Sequence, residues 1–89
     1  MSKKVTDAIE LLQAQLRSHI VWAADARTHP ALGTPFSQER THEYRFHLGY
    51  ALALNQALVA LGENFSDVEA RITDEVILNR ATYAQEGSK

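Results

Sequence analysis

Between Tyr50 and Leu61, ten of twelve residues are apolar, and the two exceptions, Asn55 and Gln56, carry no charge. This run forms the second half of a helix predicted from about Gln38 to Leu61 and closed by Gly62, a residue type suited to the left-handed position just past a helix end. A helix that is apolar nearly all round must be covered nearly all round. A chain of 89 residues makes one domain, and two further helices of similar length cannot enclose a third in a monomer. The sequence therefore predicts a homo-oligomer, with Leu52, Leu54, Asn55, Leu58 and Leu61 at the interface between copies.

The rest of the chain supplies the partner helices. From about residue 5 to 27, Val5, Ile9, Leu12, Leu16 and Ala23 recur with the period of one helix face, His19 falls on the same seam, and Leu11, Ile20 and Trp22 widen it. This helix stops near Arg27 or Thr28 because His29 precedes Pro30, and a pre-proline residue is pushed out of the helical region. Residues 28–37 contain Pro30, Gly33 and Pro35 and read as the one real loop. The second helix starts with Ser37 as N-cap, or with Thr34 capping and Pro35 in the first turn. Ser66-Asp67-Val68-Glu69 reads as a capping box, with Phe65 and Ala70 placed for a hydrophobic staple. It opens a third helix over about 67–84 carrying Val68, Ile72, Val76 and Tyr83 on one face, followed by a frayed polar tail, 85–89. No strand-like alternation, repeat or low-complexity tract interrupts this pattern, so the fold class is all-α, a single helical domain spanning 1–89.

Composition narrows the function. The longest unbroken apolar run, Tyr50 to Leu54, is far short of the roughly 20 residues that span a bilayer, and no signal-peptide pattern opens the chain, so a soluble, cytoplasmic protein is expected. The absence of cysteine removes disulfides, thiolate metal sites and cysteine nucleophiles. Nine basic against eleven acidic residues argue against a general nucleic-acid binder. Between residues 5 and 88 every basic side chain is Arg, a type favoured in protein interfaces and equally a product of GC-rich coding.

Two segments carry residues with chemical potential. His42-Glu43-Tyr44-Arg45-Phe46-His47 looks like a zinc-protease helix, but its histidines are five apart and so rotated by about 140° on a regular helix. No metal site and no metal-dependent hydrolysis are expected from it, and no cofactor. Arg40, Tyr44, Arg45, His47 and Tyr50 interleave cations and rings as a phosphate-bearing, stackable ligand would require. The same residues serve equally as core and subunit contacts, since helical geometry keeps Arg45 and Phe46 off the face of Tyr44 and His47. His19 and Asn55 are polar residues at positions expected to be buried, and each reads as a satisfied core group, an oligomer-register device or part of a site. No nucleophile–base constellation or glycine-rich phosphate loop is present, so no catalytic residue is expected.

Glu39 to Leu61, a charged aromatic helix passing through Leu48-Gly49-Tyr50 into an Ala/Leu-rich run, resembles the small helical proteins of tailed bacteriophages. The resemblance covers about a quarter of the chain and implies a non-enzymatic role: a virion or assembly component, or a binder of a host factor or signalling nucleotide. The expected function is thus an oligomeric adaptor or structural interaction protein whose first partner is itself. The alternative is a ligand-sequestering oligomer that holds a phosphate-bearing ligand through Arg40 to Tyr50.

Overall fold

The computed structural model describes residues 2–29 and 37–87, which form α1 (Lys3–Thr28), α2 (Gln38–Ala60) and α3 (Val68–Gly87), with no strand among the described residues. Most of the expected 28–37 loop, and with it the Thr34–Pro35 alternative for the start of α2, lies outside the described residues. So do residues 88 and 89 of the expected tail.

The helix ends follow local chemistry. α1 begins earlier than apolar periodicity alone predicts because Ser2 is an N-cap, its Oγ accepting a hydrogen bond from the Val5 N–H at 3.3 Å. It ends at the pre-proline residue, where His29 is extended and its N–H closes on the Asp25 carbonyl at 2.7 Å. Ser37 caps α2, its Oγ accepting from the Arg40 N–H at 3.1 Å. At the other end Gly62 takes φ +92°, and the N–H groups of Gly62 and Glu63 donate to the Val59 and Leu58 carbonyls, both at 3.0 Å. That double closure needs a residue at ease in the left-handed region.

The start of α3 corrects the expected capping box. Asp67, not Ser66, is the cap: its Oδ1 accepts from the Ala70 N–H at 3.1 Å, and its carbonyl accepts the Arg71 N–H at 3.1 Å. Ser66 is held by another helix. Its N–H donates to Asn55 Oδ1 at 3.2 Å, and its carbonyl accepts from Asn55 Nδ2 at 3.1 Å. With residue 66 tied to α2, the turn into helix passes to the next residue, and a carboxylate suits the positive end of a helix. Phe65, expected to staple onto Ala70, is 76% exposed. α3 also continues to Gly87, so residues 85–87 are helical where a frayed tail was expected from 85.

α1 is the centre of the molecule. Its Ile9, Leu16, Ile20, Ala23 and Ala24 form the core with Ala51 and Leu58 of α2 and with Val68, Ile72 and Val76 of α3. α2 and α3 each pack along α1 but meet one another little beyond the Asn55–Ser66 clasp. Two cross-helix bonds secure α3 at the far end, from Asn79 Nδ2 to Thr28 Oγ1 at 3.2 Å and from the Tyr83 hydroxyl to Asp25 at 3.5 Å. An arrangement in which two helices flank a third, without closing on each other, is flat, measuring 50 × 28 × 18 Å. Among the described residues, no helix lies upon the outer sides of α2 and α3. Among the described residues, no helix is long and apolar enough to cross a membrane.

Candidate functional site

The two sides of α2 depart from an ordinary amphipathic helix, with buried polar residues within and exposed apolar residues without. Its inward side, against α1, carries Arg40, Tyr44, His47, Ala51, Leu54, Asn55 and Leu58, of which Arg40 and Asn55 are buried polar residues at 7% and 4% exposure. Its outward side carries Phe46, Gly49, Tyr50, Ala53, Gln56, Ala57 and Ala60, all exposed, flanked by exposed Leu52, Val59 and Leu61. From Gly49 to Gly62 the chain has no charged residue. The inside thus mixes buried polar groups with the core residues Ala51 and Leu58, while the outside from Phe46 onward is exposed and, apart from Gln56, apolar.

Each inward polar residue has its partner. The Arg40 guanidinium donates to the carbonyls of Ala26 at 2.9 Å and His29 at 2.7 Å, binding the open C-terminal end of α1. A cation there also meets the negative end of the helix dipole. Asn55 clasps the backbone of Ser66, as above. Among the described residues no buried side-chain nitrogen or oxygen lacks a partner.

The expected site residues therefore separate. Of Arg40, Tyr44, Arg45, His47 and Tyr50, Arg40 is turned into the helix junction and Tyr44 lies under the Arg27 guanidinium, 5.5 Å from ring centre to cation. Arg45 is exposed on a shallow cleft with Gln38, Glu39, Thr41, His42 and Glu43. Only His47 and Tyr50 come together. Of the expected interface, Leu54, Asn55 and Leu58 are taken up inside the chain, because the face that meets α1 is the one they occupy. Leu52 and Leu61 remain exposed, at 41% and 42%.

What the fold brings together beside Tyr50 is a histidine pair. His19 Nδ1 of α1 lies 3.0 Å from His47 Nδ1 of α2. The ring centres are 5.2 Å apart, exceeding the nitrogen separation by nearly the width of an imidazole, so the nitrogens meet head-on as in an N–H···N hydrogen bond. On the far side of His47, Nε2 lies 3.6 Å from Glu43 Oε2. A carboxylate there favours the tautomer with the proton on His47 Nε2, which makes its Nδ1 the acceptor and His19 Nδ1–H the donor. Burial, and secondarily the neighbouring His47, holds the His19 pKa below its ordinary value.

Aromatic rings surround the pair. Tyr50 stacks on His19 at 4.6 Å and 9°, Trp22 meets His19 edge-on at 5.1 Å, and Phe46 meets His47 edge-on at 5.1 Å. Phe46 and Tyr50 are each 51% exposed and Trp22 49%, so the rings rest on the histidines and face solvent with their other sides. A cleft of about 340 Å³ opens beside His19, lined by Ala14, Gln15, Ser18, Trp22 and Tyr50. Among the described residues, no three His, Asp or Glu side chains are grouped to hold a metal ion.

His19 and His47 were each conspicuous in the sequence, His19 on the α1 seam and His47 among the α2 aromatics, but nothing local pairs them. The pairing depends on the register between α1 and α2. The signal that Trp22 belongs here is its i+3 spacing from His19. Comparison with protein families, curated proteins and solved structures finds no match to this chain.

Proposed function

We propose that this chain is a non-enzymatic interaction protein that works as a homo-oligomer, its copies meeting through the outward side of α2. The observation that supports this most is the absence of charge on a broad exposed face that runs from Phe46 through Gly49, Tyr50, Ala53 and Ala57 to Ala60. A second copy can cover that face without burying an ion. The face is also complementary to itself. An antiparallel two-fold pairing centred on Ala53 sets Phe46 of one copy opposite Ala60 of the other, Gly49 opposite Ala57 and Tyr50 opposite Gln56, so the Phe46 ring meets a small residue and the Tyr50 ring an uncharged amide. Small residues along the middle let two helix backbones approach closely, and exposed Leu52, Val59 and Leu61 extend the apolar area at the flanks. An adaptor or assembly component, the role implied by the resemblance to small tailed-phage proteins, requires such a face.

Sedimentation equilibrium at micromolar concentration is the test. The wild type should sediment as a dimer or larger species, and Ala53→Glu as a folded monomer, because residue 53 is exposed within the chain and the new carboxylate would be stranded only between copies. A wild type that is a compact, stable monomer overturns the proposal.

A further inference from the structure

We propose that the His19–His47 pair is a proton-operated joint beneath the outward face of α2, which weakens the contact between copies as the pH falls below neutral. This deepens the self-association proposed above and rests on it.

The joint is built from a cluster that couples the pair to the face. Tyr50 and Phe46 belong both to the apolar stripe and to the rings stacked on His19 and His47. The neutral pair holds one proton between two nitrogens 3.0 Å apart. A proton added to His19 goes to Nε2, the nitrogen not engaged by His47, and places a cation directly under Tyr50. That protonation is harder when another copy covers Tyr50 and Phe46, since covering removes the water that would solvate the charge. The stacked Tyr50 ring attracts a cation in the free and the covered chain alike, so it does not contribute to the difference.

The surrounding charges leave this balance in place. Glu43, on α2, is the charged group in contact with the pair, and it sits on the Nε2 side of His47 away from the shared proton. From α1 the pair is faced by Trp22, with Ser18 and Gln15 lining the same cleft, and none is charged. The α1 cation Arg27 is held over Tyr44, one turn before His47. α3 presents Arg71, Asp74 and Glu75 to a groove with Arg17, Ile20 and Val21, on the opposite side of α1 from His19. A metal-bridged pair is disfavoured by the head-on approach, because a shared ion needs both lone pairs to converge on a third point.

By proton linkage, each chain that takes up one more proton when separated weakens association by up to about tenfold per pH unit, and a dimer by up to about a hundredfold. The experiment is sedimentation equilibrium at pH 7.5, 6.5 and 5.5 on the wild type and on His19→Phe, which keeps a ring against Tyr50 and removes the titrating group. Where circular dichroism shows that His19→Phe has lost helix, His19→Gln takes its place. The dimer Kd of the wild type should rise about 10- to 100-fold across this range, while that of the variant changes less than about threefold. A wild-type Kd that does not move with pH overturns the joint and leaves self-association standing. A variant as pH-sensitive as the wild type overturns it too, since another group would then be responsible. A wild type monomeric at all three values overturns the self-association and this inference together.

Discussion

The inward and outward sides of α2 have the same helix behind them and opposite relations to water. The inward side buries a guanidinium, an amide and an imidazole, and supplies every one with a partner: Arg40 on the α1 carbonyls, Asn55 on Ser66, His47 on His19. The outward side exposes the solvent-facing sides of two aromatic rings and a row of small and branched apolar residues, with Gln56 among them. Burying polar groups is tolerable when hydrogen bonds replace water, whereas exposing a broad apolar face gives nothing back in a free monomer. The contrast is the basis for the proposal that the inward side is finished as a single chain and the outward side by a second copy.

Substitutions across that divide should behave differently, and the largest difference lies between two leucines. Leu58→Ala, at 3% exposure in the core, should cost about 2–5 kcal/mol in urea unfolding. Leu52→Ala, 41% exposed, should change the stability of the Ala53→Glu monomer by less than about 0.5 kcal/mol. Equal losses at the two positions would break the contrast. Next comes the polar inside: Asn55→Ala removes both bonds to the Ser66 backbone and should cost about 1–3 kcal/mol, with α3 loosened at its start as read by amide exchange.

A smaller effect sharpens the account of the α2–α3 connection. Asp67→Ala should cost about 1 kcal/mol and Ser66→Ala almost nothing, since Ser66 acts through its backbone. The sequence alone points the other way, and the reason is instructive. Ser66 and Glu69 have the spacing of a capping box, but the choice of cap is made by Asn55, eleven residues away on another helix. Features settled within one turn were legible: the Ser37 cap, the Gly62 closure, the stop before Pro30 and the three helices themselves. Features settled by register between helices were not. Arg40 reads as a surface cation until α2 is laid across the end of α1, and His19 and His47 read as separate residues until the same packing joins them. The apolar excess of Tyr50–Leu61 was legible as a quantity, but its division into Leu54 and Leu58 inside and Ala53 and Ala57 outside follows only from which face meets α1.

Proton linkage adds a milder prediction for the inward side. The His19 pKa is lowered in the fold from its ordinary 6.5, first by burial and then by His47. The unfolded chain therefore takes up its proton first on acidification. The stabilisation is fully present above about pH 6.5 and is lost as the pH falls through the lowered folded value. Urea midpoints of the Ala53→Glu monomer should fall from pH 7.5 to pH 5.5, and less so in the same protein with His19→Phe. A midpoint that rises on acidification would give the wrong sign.

The smallest expected effect concerns Gly49, whose added Cβ would meet nothing within 4 Å in the single chain. Gly49→Ala should stabilise the Ala53→Glu monomer by about 0.5–1 kcal/mol through helix propensity. In the wild-type background it should weaken association if Gly49 lies against Ala57 of a second copy.

The most direct test of the finished-by-a-second-copy account uses the absence of native cysteine. Ala53→Cys places a lone thiol at the centre of the outward side of α2, and Ala81→Cys places one on the exposed surface of α3. Under mild oxidation at low micromolar concentration, Ala53→Cys should convert nearly completely to a disulfide dimer while Ala81→Cys remains largely monomeric, because only positions facing each other across a two-fold bring Cα atoms within bonding range. Equal, slow cross-linking of the two variants would mean that thiols meet only by collision, and that the outward side of α2 is not where copies of this chain meet.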